Sequence, residues 1–148
     1  MSRQNRKYVR IKKVKEFWAP KLVELGKFDS IYEVMEMPIL DEDGEDRHYC
    51  FACGRMSAVE RAHILARCEG GSDGVENIHL LCHQCHVLSE LLSGDHYWRW
   101  FSRMSLLAFI SPNEMEKVLD VIDDGAPKNL KKLTAELRRH LKKDIAQL

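Results

Sequence analysis

Four of the five cysteines come as two C-x-x-C pairs, Cys50 with Cys53 and Cys82 with Cys85, and this spacing constrains the chain more than any other feature. A two-residue spacer lets both thiolates of a pair face one point, so two pairs can close a tetrahedral site around one structural zinc ion. The 28 residues between Cys53 and Cys82 are more than a small zinc ribbon or finger uses. A folded segment must therefore lie between the pairs. Four buried thiols without a metal would leave the paired spacing unexplained, and disulfides fit poorly with a chain whose start shows no secretory signal. Cys68 has no paired partner and is read as a loop thiol.

Between and just beyond the pairs stand His63, after the short strand-like run Ala58 to Ala62, then a glycine-rich turn from Glu69 to Glu76 closed by Asn77, then His86 directly after the last cysteine. Ile78 and Leu80 alternate with His79 as in a half-buried strand, which places His79 on the opposite side, exposed or facing a substrate. From Cys82 to Leu92 the pattern reads as a helix with Cys82, Cys85, Leu88 and Leu92 near one face. His86 and Glu90 lie four apart on another face, a spacing that lets two side chains point at one ion.

The sequence A-H-I…G-G-S-D…N-I-H-L-L-C-x-x-C-H, within residues 50 to 92, resembles the HNH endonucleases of the ββα-metal class, in the branch where two C-x-x-C pairs bind a structural zinc. The resemblance implies a strand carrying His63, a loop that reverses the chain, a second strand after Asn77, and a helix bearing His86. It implies His63 as general base, since an imidazole titrates near neutrality and can take a proton from water attacking a phosphorus. Asn77 would orient that histidine through hydrogen bonds across the loop. His86 would hold a divalent cation, Mg2+ or Mn2+, that neutralises charge on the scissile phosphate and the departing oxygen. The products would carry a 5′-phosphate and a 3′-hydroxyl.

One position departs from the family pattern. The aspartate or second histidine that commonly precedes the base and binds the catalytic metal is here Ala62. Either Glu90 supplies the missing ligand, or Glu60 reaches in from upstream, or the site is weakened. Glu90 is favoured, because other branches of the class place a second ligand one helical turn after the first. A weakened site would leave a zinc-stabilised DNA-binding or assembly protein on the same scaffold, and an RNA-directed nuclease is a third reading. Arg67 reads as a solvated loop arginine rather than a phosphate contact. His83 either supports a cysteine ligand or faces solvent. His48, His96 and His140 have no ligand-like spacing.

The flanks are read as attachments to this core. The formal net charge of the 148 residues is zero, which argues against a broadly cationic surface, but the charge is unevenly placed. Residues 1 to 28 hold nine Lys and Arg, among them Arg3, Arg6, Lys12, Lys15 and Lys21, with Tyr8, Phe17 and Trp18 interleaved. Such an arm gains affinity for DNA by releasing counterions, and it equally suits a solvated helix face. A helix is expected from Val14 to Leu25, broken or begun at Pro20. Residues 29 to 49 are acidic, with a short helix from Ser30 to Met37 capped by Asp29 or Ser30, and an exposed turn from Asp41 to Asp46 at a hairpin tip.

Beyond the core, Tyr97 to Phe101 form an aromatic cluster read as helix packing rather than base stacking. A further helix begins at Ser111-Pro112, with serine as cap and proline in its first turn, and runs to Asp124. Asn129 to Leu148 carry a leucine stripe, Leu130, Leu133, Leu137, Leu141 and Ile145, for packing within the domain or for pairing with a second copy.

The expected protein is α+β, mostly helical, built around a zinc-stapled ββα-metal core at 50–92, with an arm and acidic linker at 1–49 and a helical extension at 93–148 that packs with the core as one domain. Structural zinc on Cys50, Cys53, Cys82 and Cys85, a catalytic cation on His86 and Glu90, and catalytic roles for His63, Asn77 and His86 are its expected chemistry. DNA is the expected partner, and a homodimer would suit cleavage of both strands. No apolar run approaches a membrane span, and a cytoplasmic location is expected.

Overall fold

Val14, Trp18, Ala19 and Leu22 form one buried stripe, and around it residues Ile11–Glu24 wind into helix α1. A computed structural model of the chain describes residues 8–36, 39–40, 46–124, 128, 131–132 and 134–139. The helix continues through Pro20, where a break was expected. Pro20 sits on the exposed face, so the carbonyl that loses its N–H partner meets water, and the buried stripe offsets a cost of about 3 kcal/mol. Lys15, expected within a basic arm suited to DNA or to a solvated helix face, is instead 5% exposed and donates from Nζ to the Glu36 carbonyl at 3.2 Å. Lys12, Lys13 and Lys21 remain exposed, while Arg3 and Arg6 lie outside the described residues.

After α1 the Ser30 hydroxyl accepts from the Glu33 N–H at 3.2 Å and starts the short helix α2, Ile31–Val34. Strand β1, Ile39–Leu40, pairs antiparallel with β2, Asp46–Tyr49, so the acidic turn joins two strands of a hairpin, although its residues 41–45 lie outside the described ones. β2 pairs in turn with β3, Met56–Ser57, giving a small sheet of order β1-β2-β3. The tight turn between β2 and β3 contains the first cysteine pair. Its Gly54 has φ +79° and donates its N–H to the Cys50 carbonyl at 2.9 Å, a left-handed conformation that glycine adopts without steric cost.

A second sheet has two antiparallel strands, β4 (Glu60–His63) and β5 (Ile78–Leu81), registered Glu60 with Leu81, Ala62 with His79 and His63 with Ile78. Cys82 is the N-cap of helix α3, His83–Ser89, which ends short of the expected Leu92. Strand, loop, strand and helix thus follow in the order that the resemblance implies. The strand β5 is buried along its whole length, and this corrects the half-buried pattern expected from its sequence. The reason is α1, which packs across β5. The Trp18 ring meets His79 at 4.4 Å between centroids and donates from Nε1 to the Val75 carbonyl at 2.8 Å. His79 was expected exposed or substrate-facing. It is fully buried, with Trp18 and Phe51 edge-on to its ring.

The chain divides into two compact units, residues 1–90 and 91–148. The second is helical: α4 (Gly94–Arg103), α5 (Leu107–Ile110) and α6 (Pro112–Asp123), with α6 packed on both others. Tyr97, Trp100 and Phe101 are buried in its core with Met115, Val118, Leu119 and Ile122, so the aromatic cluster is packing. Ser111 occupies the N-cap of α6 without a side-chain cap bond, and Pro112 takes the first turn. Arg138 joins Glu116 at 2.8 Å and Asp120 at 2.7 Å and also meets Asp123, which ties residues 134–139 to α6. Of the leucine stripe, Leu137 is half-buried and the other four members lie outside the described residues. The protein is therefore α+β and mostly helical. Among the described residues no helix is long and apolar enough to cross a membrane.

Candidate metal centre and active site

The two sheets bring the cysteine pairs together. Cys50 and Cys53 lie on the turn after β2, and Cys82 and Cys85 begin α3 directly after β5. The Phe51 N–H donates to the Leu80 carbonyl at 2.8 Å and joins the two segments. All four thiols are buried and free of disulfides, and their sulfurs lie within 4.8 Å of one another. The Cys53 and Cys82 sulfurs are 3.8 Å apart. A regular tetrahedron with metal–sulfur bonds of about 2.3 Å has edges of about 3.8 Å, whereas a disulfide needs about 2.0 Å. The donor set therefore fits zinc.

Hydrogen bonds within the cluster divide its protons. Contact with Cys53 brings the Cys50 thiol down to about 7, and contact with Cys50 holds Cys82 below the ordinary thiol value. The same contacts with Cys50 raise Cys53 and Cys85. Two cations stand nearby. Lys27 donates from Nζ to the Ala52 carbonyl, inside the first pair, at 3.0 Å. Burial lowers its amine to about 8, while the charges of Cys50, Cys85 and Cys53 work the other way. Burial also opposes the charge on Arg55, but a hydrogen bond with Cys82 keeps that guanidinium more firmly protonated. Four thiolates on one divalent ion carry a net charge of about −2, and these two cations compensate it.

A second constellation forms where β4 and β5 are joined. Asn77, 9% exposed, spends its whole amide on the connecting loop. Its Oδ1 accepts from the Leu65 N–H at 2.8 Å, and its Nδ2 donates to the Leu65 carbonyl at 3.0 Å and the Ser72 carbonyl at 2.8 Å. Gly71 lets the loop close, since a Cβ there would lie 1.8 Å from the Leu65 oxygen. The loop so held carries Asp73, whose Oδ1 is 2.8 Å from His63 Nε2 and 3.2 Å from Arg67 Nε. The result is an imidazole at the end of a strand, half-buried, with one nitrogen fixed by a carboxylate.

The third constellation lies on α3. His86 is flanked on both ring nitrogens: Glu60 Oε1 is 2.9 Å from Nδ1, and Glu90 Oε1 is 3.5 Å from Nε2. Glu60 also reaches His83 Nδ1 at 3.2 Å. Its carboxyl is held below the usual range by the hydrogen bond with His86, against a smaller effect of burial and with a further contribution from His83. Two donors of one ion at about 2.1 Å each can lie up to about 4.2 Å apart, so His86 Nε2 and Glu90 Oε1 fit a shared divalent cation. Among the described residues the four cysteines form the one group of three or more His, Cys, Asp or Glu side chains whose ligand atoms all lie within 4.8 Å of one another.

A family model for HNH endonucleases matches residues 49–90, the stretch that holds all three constellations. The match spans under a third of the chain. Comparison with curated proteins and with solved structures gave no match.

Within the HNH module, the expected residues fall into separate places. His63 stands with Asp73, His86 stands with Glu90 and Glu60, and Asn77 bonds to loop main chain rather than to the His63 ring. Ala62, the departure from the family pattern, is 1% exposed and pairs with His79, so it shares the buried face on which His79 meets Trp18. A methyl group suits that packing. Arg67, read from sequence as a solvated side chain, pairs with Asp73. Asp73 received no role from sequence, although it ends the G-G-S-D run. Its distance from His63 in the chain, ten residues across an irregular loop, gave no periodic signal to find it.

Proposed function

We propose that the HNH module is a metal-dependent endonuclease that hydrolyses DNA phosphodiester bonds, with His63 as the general base. The observation that carries this reading is the His63–Asp73 pair at 2.8 Å. A carboxylate only accepts, so the nitrogen beside it is the N–H and the other, Nδ1, keeps its lone pair for the proton of an attacking water. Arg67, 3.2 Å from the same Asp73 oxygen, holds the carboxylate in place, and Asn77 holds the loop that bears it. His86 and Glu90 would hold a Mg2+ or Mn2+ ion. Such an ion stabilises negative charge on the phosphate and on the leaving 3′-oxygen. The exposed lysines of α1 would meet the DNA backbone, and a second copy of the chain would serve cleavage of the opposite strand.

A second reading, a zinc-stabilised DNA-binding or assembly protein without turnover, draws support from Ala62, which removes the usual strand ligand and leaves two ligands rather than three near His86. Cleavage of supercoiled plasmid separates the two. Zinc-loaded protein should nick the plasmid when Mg2+ or Mn2+ is added, and His63→Ala should slow nicking by about 10²- to 10⁴-fold, the usual weight of a general base. Equal nicking by both proteins would remove His63 from the role. Plasmid binding without nicking would favour the second reading.

A further inference from the structure

Glu60 opens β4, and the register that pairs it with Leu81 sets it beside the start of α3, where Cys82 caps the helix and His83 and His86 follow one turn apart. Its carboxylate spans strand and helix: Oε1 lies 2.9 Å from His86 Nδ1 and 3.2 Å from His83 Nδ1, with Oε2 at 3.4 Å from the latter. A neutral imidazole carries one N–H, and a carboxylate offers only lone pairs. The hydrogen on His86 is therefore on Nδ1, which leaves the Nε2 lone pair facing Glu90 Oε1 at 3.5 Å. Two acceptors facing each other at that range repel unless a cation or a proton sits between them.

We propose that Glu60 fixes the tautomer of His86 so that Nε2, with Glu90, is the nitrogen presented to the divalent cation. This rests on the reading of the module as a metal-dependent nuclease. It makes Glu60 a positioning residue rather than the replacement for the ligand missing at Ala62. As a ligand, Glu60 would have to give up both imidazole contacts, whereas as an orienting group it uses both. Carboxylate–imidazole–metal chains of this kind hold a ligand ring in one orientation and raise its basicity. The departure at position 62 is then met from the helix, by His86 and Glu90, and the strand contributes the group that aims them.

The test uses full-length, zinc-loaded protein and Mn2+ as the probe, with binding followed by electron paramagnetic resonance and the His86 tautomer read from nitrogen-15 NMR before Mn2+ is added. Wild type should show the Nδ1–H form. Glu60→Ala should mix the tautomers and weaken Mn2+ binding about 10- to 100-fold, as loss of an orienting partner does. Glu60→Gln, whose amide oxygen still accepts from Nδ1–H, should recover the tautomer and most of the affinity. His86→Ala and Glu90→Gln should lose the Mn2+ signal. The proposal is overturned if wild-type His86 carries its proton on Nε2, if Glu60→Ala binds like wild type, if Glu60→Gln fails as badly as Glu60→Ala, or if wild type binds no Mn2+. Since the NMR readout needs no variant, misfolding of Glu60→Ala would not protect the idea. If binding and tautomer behave as expected while plasmid stays intact, the nuclease reading fails and the metal-site assignment stands.

Discussion

Replacing Asn77 by alanine removes three side-chain hydrogen bonds at once, two from the amide nitrogen and one to the amide oxygen. At about 1 kcal/mol each the sum is about 3 kcal/mol. Leu65 is 42% exposed, so water can reach part of what is vacated, and a loss of about 2 kcal/mol is expected. Aspartate is the sharper probe. It keeps an acceptor for the Leu65 N–H but sets a second carboxylate oxygen against the two carbonyls that Nδ2 now serves, so Asn77→Asp should be no more stable than Asn77→Ala at neutral pH. Urea unfolding at saturating zinc gives the global value, and exchange of the Leu65 amide reports the loop directly. Because the same loop carries Asp73, plasmid nicking should fall with zinc content unchanged. A stability within about 0.5 kcal/mol of wild type, together with an unprotected Leu65 amide in wild type, would refute the assignment of Asn77 as the clamp of this loop.

Further expectations concern the core and the base. Cys85→Ser should abolish stoichiometric zinc and leave residues 46–90 without a cooperative unfolding transition, measured by metal analysis and calorimetry, since the free energy of binding a structural zinc is folding free energy. His79 is buried neutral, with its value lowered to about 3 by desolvation and by Lys27. The unfolded chain therefore binds a proton below about pH 6.5 that the folded chain refuses, so stability is full above that pH and falls as acid is added, by up to about 4 kcal/mol near pH 3. His79→Phe, compared with wild type in urea titrations at several pH values, should flatten this slope whatever it does to stability at pH 7. Gly71→Ala should destabilise the loop, because its Cβ meets the Leu65 carbonyl at 1.8 Å, and wild-type protection of the Leu65 amide in this variant would contradict the geometry. Asp73→Asn should lower the nicking rate at least about tenfold with zinc and Mn2+ binding unchanged, since its side chain meets His63, the proposed base, and Arg67 rather than the cysteines or His86.

The cysteine pairs, the order of strand, loop, strand and helix, and the His86–Glu90 pair are all legible in the chain. Each depends on spacings of two to four residues, and such spacings fix direction through local geometry. The break at Pro20 and the exposed face of β5 were misread for one common reason. Local pattern reports how a segment would lie against water on one side, and α1 covers β5 from a distance of some 60 residues in sequence, as the Trp18–Val75 bond shows. Burial of Val14, Trp18, Ala19 and Leu22 along α1 outweighs what proline costs within the helix.

The sequence by itself therefore determined the four-cysteine donor set that fits a structural zinc and the likeness of residues 49–90 to the HNH endonucleases, because two C-x-x-C pairs at this spacing have few other uses. The tertiary structure decided which groups stand against the histidines. Glu60 reaches His86 through a strand register, and Asp73 reaches His63 through a loop closed by Asn77 and Gly71. A carboxylate is as common on a solvated surface as in a site, and its role appears only when folding sets it 2.8 or 2.9 Å from an imidazole nitrogen.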